Sequence, residues 1–321
     1  MQFSISPYKG DSPMKPWPSL AEKAFCLKDD SRPVEMIFYF DAGPANGVPL
    51  TGASRSSPPV IVLIHGLGDE ADSWRRLIPL LSSYGCRVLA LDLPGFGRSV
   101  TTRKTGLKNH TAAVLEVLEA AGIGSENPAF LAGNSMGAVI AEAAAFQKPE
   151  LVKGLILIDG SLPGGPANPG LFALAKLLFS RKWYRAYRDD PEGAWASLYP
   201  YYADLDAMPR EDREFLRERV MARVESPAQE QAFFSTQRSL VWTHISGVSR
   251  FTKKIKEYKG KIKLIWGEND RIIPLSSARA FRALRNDIEL EIIPGAGHLP
   301  QQEKPEDTAR IIADFVDRSL N

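Results

Sequence analysis

The sequence has few cysteines and no long hydrophobic run. Only Cys26 and Cys86 occur in 321 residues, which argues against a disulfide-rich secreted scaffold, and we expect both thiols to be reduced. No stretch reaches the roughly 18 uninterrupted apolar residues of a membrane-spanning helix, so we expect no stable membrane insertion. The first 25 residues include Pro13, Pro16 and Pro18 and have no continuous apolar segment, unlike a secretory signal. These absences favour a cytoplasmic protein.

The sequence also lacks an excess of charge of one sign. The formal net charge is +2, and acidic and basic residues are mixed along the chain without a polybasic tract. Such a balance argues against nucleic acid or a membrane surface as a partner, and favours a small-molecule substrate. A chain of this length buries enough surface to fold without disulfides or a structural metal.

Short apolar runs, each closed by Gly, Pro or Asp, alternate with amphipathic segments of helix length. Near-continuous apolar runs are typical of strands that are buried on both faces, as in a parallel sheet flanked by helices. The predicted strands are Val60–His65, Cys86–Asp92, Pro128–Ala132, Leu155–Asp159, Ile262–Trp266 and Ile288–Ile293. Helical patterns cover Ser73–Tyr84, Thr111–Ala121 and Pro305–Leu320, while Val34–Asp41 alternates as an antiparallel edge strand would. The pattern predicts an α/β fold with a mostly parallel sheet.

One segment interrupts this alternation. Residues 161–251 contain no convincing strand, only helical patterns such as Leu171–Phe179 and Glu211–Val224, and many aromatic residues. Because the segment lies between two predicted sheet strands, we expect a helical cap over the carboxyl edge of the sheet, where α/β proteins bind ligands. The predicted organisation is an N-terminal extension (1–33), a core in two parts (34–160 and 252–321) and a cap (161–251).

A candidate nucleophile stands between a predicted strand and a predicted helix. The sequence Gly133-Asn134-Ser135-Met136-Gly137 has the Gly-x-Ser-x-Gly pattern of a strained turn that projects a serine hydroxyl from a sheet edge. The pattern alone would occur by chance in roughly one chain in ten of this length. Its position after a strand and before a helix of small residues makes Ser135 the candidate nucleophile.

Four histidines are candidates for the base that a serine nucleophile needs. His298 follows the final strand in a glycine-containing loop, Pro294-Gly295-Ala296-Gly297-His298, which can carry its imidazole over the sheet edge. We expect His65 to end a strand, His110 to be solvated and His244 to serve packing or the surface. His298 is therefore the candidate base.

The candidate acid is Asp270, which lies just past the strand Ile262–Trp266. An imidazole that gains a proton needs a carboxylate to fix its tautomer, and the order Ser135, Asp270, His298 suits this fold. Asp159, at the end of the preceding strand, and Glu268 remain alternatives. We interpret Asp92 as a residue that braces its loop.

A candidate oxyanion hole comes from the loop after Val60–His65. In this architecture a backbone N–H of that loop acts together with the N–H that follows the nucleophile, which gives Leu67 and Met136. Such donors stabilise the charge on a tetrahedral intermediate.

These motifs together resemble the capped α/β-hydrolase family of serine hydrolases, from about Val34 to Leu320. The matching motifs are His65-Gly66, Asp92-x-x-Gly95-x-Gly97-x-Ser99, Gly133-Asn134-Ser135-Met136-Gly137, Gly267-x-x-Asp270-x-x-x-Pro274 and Gly297-His298. The resemblance implies an eight-stranded sheet with strand two antiparallel, a cap after strand six, and no metal or organic cofactor. It also implies hydrolysis through an acyl-enzyme.

The leading expectation is a carboxylesterase acting on a small or medium apolar ester. Capped serine members of the family also cleave carbon–carbon bonds of vinylogous diketones, which is the second hypothesis. A non-catalytic ligand receptor on the same fold is the third. The sequence does not identify the substrate, because specificity depends on the geometry of the cap.

Overall fold

The computed structural model describes residues 21–27, 35–45, 57–101, 104–162 and 181–321. The predicted helix Leu171–Phe179 lies outside these ranges. Residues 21–27 are described by their backbone alone, so the predicted state of the Cys26 thiol also lies outside the description. Cys86 is buried.

The strands form one sheet with the order β1-β2-β4-β3-β5-β6-β7-β8. Strands β3 to β8 are parallel, while β2 runs antiparallel to both of its neighbours, β1 and β4. Their bounds are β1 Ala21–Leu27, β2 Glu35–Ala42, β3 Val60–Ile64, β4 Arg87–Leu91, β5 Ala129–Asn134, β6 Val152–Ile158, β7 Lys261–Gly267 and β8 Glu289–Ile293. The predicted α/β fold with a mostly parallel sheet is confirmed.

Eleven α-helices lie within the described residues. They are α1 Leu77–Ser83, α2 Leu107–Ala120, α3 Met136–Gln147, α4 Arg181–Ala186, α5 Pro191–Ala196, α6 Arg210–Glu225, α7 Pro227–Ser246, α8 Val248–Glu257, α9 Leu275–Arg282, α10 Pro300–Glu303 and α11 Pro305–Leu320. Helices α4 to α8, here called the inserted helices, lie between β6 and β7. None of the helices described is both long and apolar enough to cross a membrane.

The apolar strands are sandwiched between two hydrophobic layers. Alternate residues of a strand point to opposite faces, so Ile61 and Leu63 join one core while Val62 and Ile64 join the other. All four side chains are fully buried. This arrangement explains why the β3 sequence is continuously apolar rather than alternating.

Two predictions about the first strands and helices are corrected. The segment predicted as an edge strand, Val34–Asp41, forms β2, but β2 pairs on its outer side with Ala21–Leu27 and is therefore not an edge. The strand at the edge thus comes from the stretch assigned to the N-terminal extension. Helix α2 begins four residues before the predicted Thr111, and it includes His110.

The inserted helices have a small core of their own. It contains Trp195, Tyr202, Leu205, Met208 and Leu216, so several aromatic residues of this segment serve its own packing. Trp183 and Trp242, in contrast, are 67% and 70% exposed. The predicted end of the segment, residue 251, falls inside α8.

A carboxyl group is buried where the inserted segment leaves the sheet. Glu142 on α3 is fully buried; one oxygen accepts the Leu162 N–H at 3.2 Å, and the other has no hydrogen-bond partner among the described residues. Burial raises the pKa of Glu142 to about 8. Because the folded state holds this proton more tightly than the unfolded state, its contribution to stability is complete below the unfolded pKa near 4.5 and is lost as the pH rises toward 8.

We therefore expect Glu142→Gln to stabilise the protein progressively as the pH rises. The difference in unfolding free energy between variant and wild type should grow by about 1.4 kcal/mol per pH unit from about pH 5 to about pH 8. Urea unfolding at several pH values measures this difference. The exposed Glu150→Gln is the control and should give a flat difference; an equally flat result for Glu142→Gln would contradict the burial argument.

Candidate active site

The candidate nucleophile lies on a sharp turn between β5 and α3. Ser135 has φ 55° and ψ −114°, a left-handed backbone conformation that is uncommon for a residue with a Cβ. Its N–H donates to the Ile158 carbonyl at 2.9 Å, which ties the turn to the end of β6. Such strain is typical of a functional turn that is held by its surroundings.

Glycines allow the turn to be packed this tightly. A Cβ on Gly137 would lie 2.7 Å from the carbonyl carbon of Ile64, so the first turn of α3 can approach β3 only without a side chain there. A Cβ on Gly160 would lie 2.5 Å from the Ser135 Cα. Steric contacts thus explain the spacing of the Gly-x-Ser-x-Gly pattern. Gly160 packs against the backbone of the turn, where a side chain would not fit.

The candidate base and the candidate acid are hydrogen-bonded to each other. His298 Nδ1 lies 2.8 Å from Asp270 Oδ2, and both side chains are buried. The other oxygen of Asp270 accepts the N–H groups of Ile272 and Ile273 at 2.7 and 2.9 Å. These three hydrogen bonds hold the Asp270 carboxylate in place. Because a carboxylate accepts hydrogen bonds, His298 Nδ1 carries the proton and His298 Nε2 is the basic nitrogen.

Two residues that sequence reasoning missed hold the backbone of His298. Asn134, next to the candidate nucleophile, donates its amide to the His298 carbonyl at 3.0 Å and to the Ile158 carbonyl at 3.2 Å. The Tyr201 carbonyl accepts the His298 N–H at 2.8 Å, and the Tyr201 ring lies 5.9 Å from the imidazole. Asn134 therefore joins the loop of the base to the turn of the nucleophile. Its place inside the motif was the only signal in the sequence.

The Ser135 hydroxyl makes no hydrogen bond with His298 within the part of the chain that the structure describes. Catalytic hydrogen bonds in substrate-free enzymes are often long and tighten only when substrate is bound. The turn and the Asn134 bridge bring the two residues to the same edge of the sheet.

Asp159, the alternative acid, lies beside the same pair. It is fully buried with φ 45°, and one of its oxygens accepts the Gly267 N–H at 2.8 Å while the other has no hydrogen-bond partner among the described residues. Burial, followed by the nearby Asp270 carboxylate, raises the pKa of Asp159 well above its usual range. Asp270, in contrast, makes the hydrogen bond to His298 Nδ1, so the geometry favours Asp270 as the acid.

These residues also form the one described group that has the spacing of metal ligands. Ligand atoms of Asp159, Asp270 and His298 all lie within 4.8 Å of one another. The contacts described above already engage His298 Nδ1 and both Asp270 oxygens in hydrogen bonds. We therefore interpret the cluster as an acid–base system. Glu268, the remaining alternative, is exposed and accepts the Gly295 N–H at 3.2 Å, away from His298.

The loop after β3, residues 65–70, is here called the oxyanion loop, and it lies against the candidate nucleophile. A Cβ on Gly66 would lie 3.5 Å from the Ser135 Cβ. Helix α3 begins at Met136, so the Met136 N–H belongs to the first helical turn, whose amides have no acceptor within the helix. The amides of Leu67 and Met136 are thus placed on the two segments that border Ser135.

His65 is a structural part of the oxyanion loop. Its Nε2 accepts the Leu93 N–H at 2.9 Å, so Nδ1 is the protonated nitrogen and donates to the Gly66 carbonyl at 2.7 Å. Burial lowers the pKa of His65 and keeps it neutral. Asp92 accepts the N–H groups of Ala71 and Arg98, each at 2.7 Å, as a loop-bracing residue should.

The expectation that His110 is solvated is wrong. Its side chain is completely buried, with Nε2 2.8 Å from Thr236 Oγ1 on α7, and burial lowers its pKa to about 3. The reason is that α2 packs against an inserted helix more than a hundred residues later, which local sequence does not show. His244 is half-buried, with Nδ1 2.9 Å from the Leu240 carbonyl on its own helix.

Comparison with known proteins matches most of the chain to one family. Residues 61–311 match the alpha/beta hydrolase family. A pimeloyl-(acyl-carrier protein) methyl ester esterase from Methylococcus capsulatus is 29% identical over 261 residues, which are 80% of this chain and 94% of that protein. A 2-hydroxy-6-oxononadienedioate/2-hydroxy-6-oxononatrienedioate hydrolase from Burkholderia vietnamiensis is 28% identical over 264 residues, which are 80% of this chain and 87% of that protein.

A solved structure gives the same result. The crystal structure of a bacterial membrane phospholipase A superposes with a TM-score of 0.71 at 26% identity, covering 95% of this chain and 88% of that one. These relatives are named as a methyl ester esterase, a dienedioate hydrolase and a phospholipase. On the family match, the sheet and the serine turn, this chain belongs to the alpha/beta hydrolase family and is a hydrolase.

Proposed function

We propose that the protein is a serine esterase that hydrolyses a neutral, apolar carboxylic ester through an acyl-enzyme at Ser135. The observation that carries the proposal is the His298–Asp270 hydrogen bond at 2.8 Å, joined through Asn134 to the strained turn of Ser135. A nucleophile, a base and an oriented acid are the groups that acyl transfer needs.

The proposed reaction proceeds in two halves. Ser135 Oγ forms a bond to the ester carbonyl carbon while His298 Nε2 takes the hydroxyl proton, and Asp270 stabilises the resulting imidazolium. The N–H groups of Leu67 and Met136 donate to the oxygen that becomes negative. The carbon–oxygen bond to the alcohol breaks as His298 returns its proton to the leaving oxygen. In the second half, a water oxygen forms a bond to the acyl carbon while His298 Nε2 takes its proton. The bond from that carbon to Ser135 Oγ then breaks as His298 returns the proton to Oγ, which releases the acid.

The charges around the oxyanion loop favour a neutral substrate. Arg219 and Arg223 reach this loop from α6, but both are bound to the buried carboxylate of Glu70. Two further carboxyl groups, those of Asp159 and Asp270, lie close to His298. Among the described residues, these arginines are thus occupied by acidic groups rather than presented to a substrate anion.

We also propose that the inserted helices form a cap that shapes the substrate pocket. The segment between α5 and α6 contacts the site through Tyr201, whose carbonyl accepts the His298 N–H and whose ring lies beside the imidazole. The aromatic content of this segment suits an apolar substrate.

Carbon–carbon bond hydrolysis is the second candidate, because the Burkholderia relative is a hydrolase of dienedioates. We expect nitrophenyl esters of increasing chain length to be turned over with a kcat/KM at least about 100-fold higher than a 2-hydroxy-6-oxodienoate, a difference of about 2.7 kcal/mol in transition-state binding. Initial rates with both substrate series test this. A higher kcat/KM for the dienoate would overturn the ester proposal in favour of the second candidate.

A further inference from the structure

The oxyanion loop is held by side chains of the inserted helices. Arg219 and Arg223 from α6, and Gln229 and Phe233 from α7, all contact residues 68–70. These residues follow directly after Leu67, whose N–H is the proposed oxyanion donor. The loop is therefore packed between the sheet and the inserted helices.

The strongest of these contacts is a buried ion-pair cluster around Glu70. Glu70 is fully buried and accepts hydrogen bonds from Arg219 through both of its oxygens, at 2.6 Å from Nε and at a shorter distance from Nη2. Arg223 donates to Glu70 at 2.8 and 3.0 Å and to Asp69 at 2.6 Å. Burial alone would raise the pKa of Glu70, but Arg223 and Arg219 together hold it well below its usual range.

Two neutral contacts complete the arrangement at Gly68. The side-chain amide of Gln229 donates to the Gly68 carbonyl at 3.4 Å, and its oxygen accepts the Gly97 N–H at 3.2 Å. A Cβ on Gly68 would lie 3.1 Å from the Phe233 ring, so that ring packs directly on the loop backbone.

We infer that Arg219, Arg223 and Gln229 are positioning residues, which hold the Leu67 N–H in the geometry that stabilises the oxyanion. The inference rests on the proposed function. None of these side chains needs to touch the substrate. Gln229 binds the Gly68 carbonyl, and the two arginines bind the carboxylates of residues 69 and 70, so each acts one to three residues from the donor. Loss of an entire oxyanion donor lowers the rate by roughly 10²–10³-fold, so a displaced donor should have a large effect on kcat.

A matched control exists on the same inserted helix. Asp212, at the start of α6, forms ion pairs with Arg75 at 2.8 Å and Arg76 at 2.7 Å. These pairs also join the inserted helices to the core, and Asp212 is buried, but they do not involve residues 65–70. If the Glu70 cluster only attaches the inserted helices to the core, then breaking the Glu70 cluster and breaking the Asp212 ion pairs should lower kcat equally.

The test compares Arg223→Gln, Arg223→Lys, Gln229→Met and Asp212→Asn with the wild type. Arg223→Gln should lower kcat for a nitrophenyl ester at least about tenfold, a fraction of the loss caused by removing one oxyanion donor, with little change in KM. Arg223→Lys keeps the charge and should recover part of the rate. Gln229→Met, which leaves the ion pairs intact, should also lower kcat, and Asp212→Asn should leave it unchanged.

The rate of Ser135 labelling by a fluorophosphonate is the second readout, because it needs the oxyanion donors but no ester substrate. If the wild type is labelled but turns over no ester, the ester proposal is refuted. The labelling rates of the variants then still test the positioning inference. Equal losses of labelling rate in Arg223→Gln and Asp212→Asn, or no loss in Arg223→Gln and Gln229→Met, would overturn the inference. Circular dichroism checks folding, and if Arg223→Gln does not fold, Arg223→Lys and Gln229→Met decide the outcome.

Discussion

Replacement of Ser135 by alanine is expected to lower kcat for ester hydrolysis by about 10⁶-fold, the typical loss when the nucleophile of a serine triad is removed. The proposed covalent step passes through Oγ, and no other described side chain holds a hydroxyl on this strained turn beside the His298–Asp270 pair. Alanine keeps the Cβ, so the backbone at φ 55° is no more strained than with serine. Steady-state kinetics of the purified variant measures the loss.

The fold of this variant should be unaffected, and a second serine provides the control. The N–H of Ser135 still donates to Ile158, and the hydroxyl itself makes no hydrogen bond among the described groups. Ser277, buried at the start of α9, can be changed to alanine in parallel and should retain full activity. A Ser135→Ala protein with substantial ester turnover, and with the thermal stability of the wild type, would refute the assigned nucleophile.

The second large effect is expected at the acid. Asp270→Asn should lower kcat by about 10⁴-fold, because an amide cannot both accept the Nδ1–H of His298 and stabilise its positive charge. The N–H groups of Ile272 and Ile273 hold the other side-chain oxygen, so the geometry should survive the change. Measurement of kcat at neutral pH tests this expectation.

Asp159→Asn is the matched comparison, and its effect should be far smaller. Asn is nearly isosteric with Asp, and its side-chain oxygen can still accept the Gly267 N–H. A larger loss of kcat in Asp159→Asn than in Asp270→Asn would keep the triad but transfer its acid to Asp159.

Local sequence was enough to predict the features that are set by short-range chemistry. Strands β3 to β6 are largely apolar because both faces of the sheet are covered there, so their positions follow from composition. The turn at Ser135 follows from glycines at Gly133 and Gly137, where a Cβ would strike neighbouring backbone. The order of acid and base along the chain then favours Asp270 as the acid, with Asp159 and Glu268 as the alternatives.

Features that depend on contacts between distant segments were not predictable in this way. Glu70 and Arg219 are 149 residues apart in sequence, and the local sequence around each is typical of an ordinary surface charge. His110 looked solvated because its neighbours are polar, whereas Thr236 on an inserted helix buries it. The pairing of Ala21–Leu27 with β2 likewise depends on a partner strand. In each case the decisive neighbour lies outside any local pattern.

The most direct test of the central claim is the site of covalent labelling by a fluorophosphonate, mapped by intact-protein and peptide mass spectrometry. We expect one adduct per chain, on Ser135, absent from Ser135→Ala and slowed in Asp270→Asn. An adduct on another residue, or an unlabelled wild-type protein, would contradict the assignment of Ser135, His298 and Asp270 as a catalytic triad.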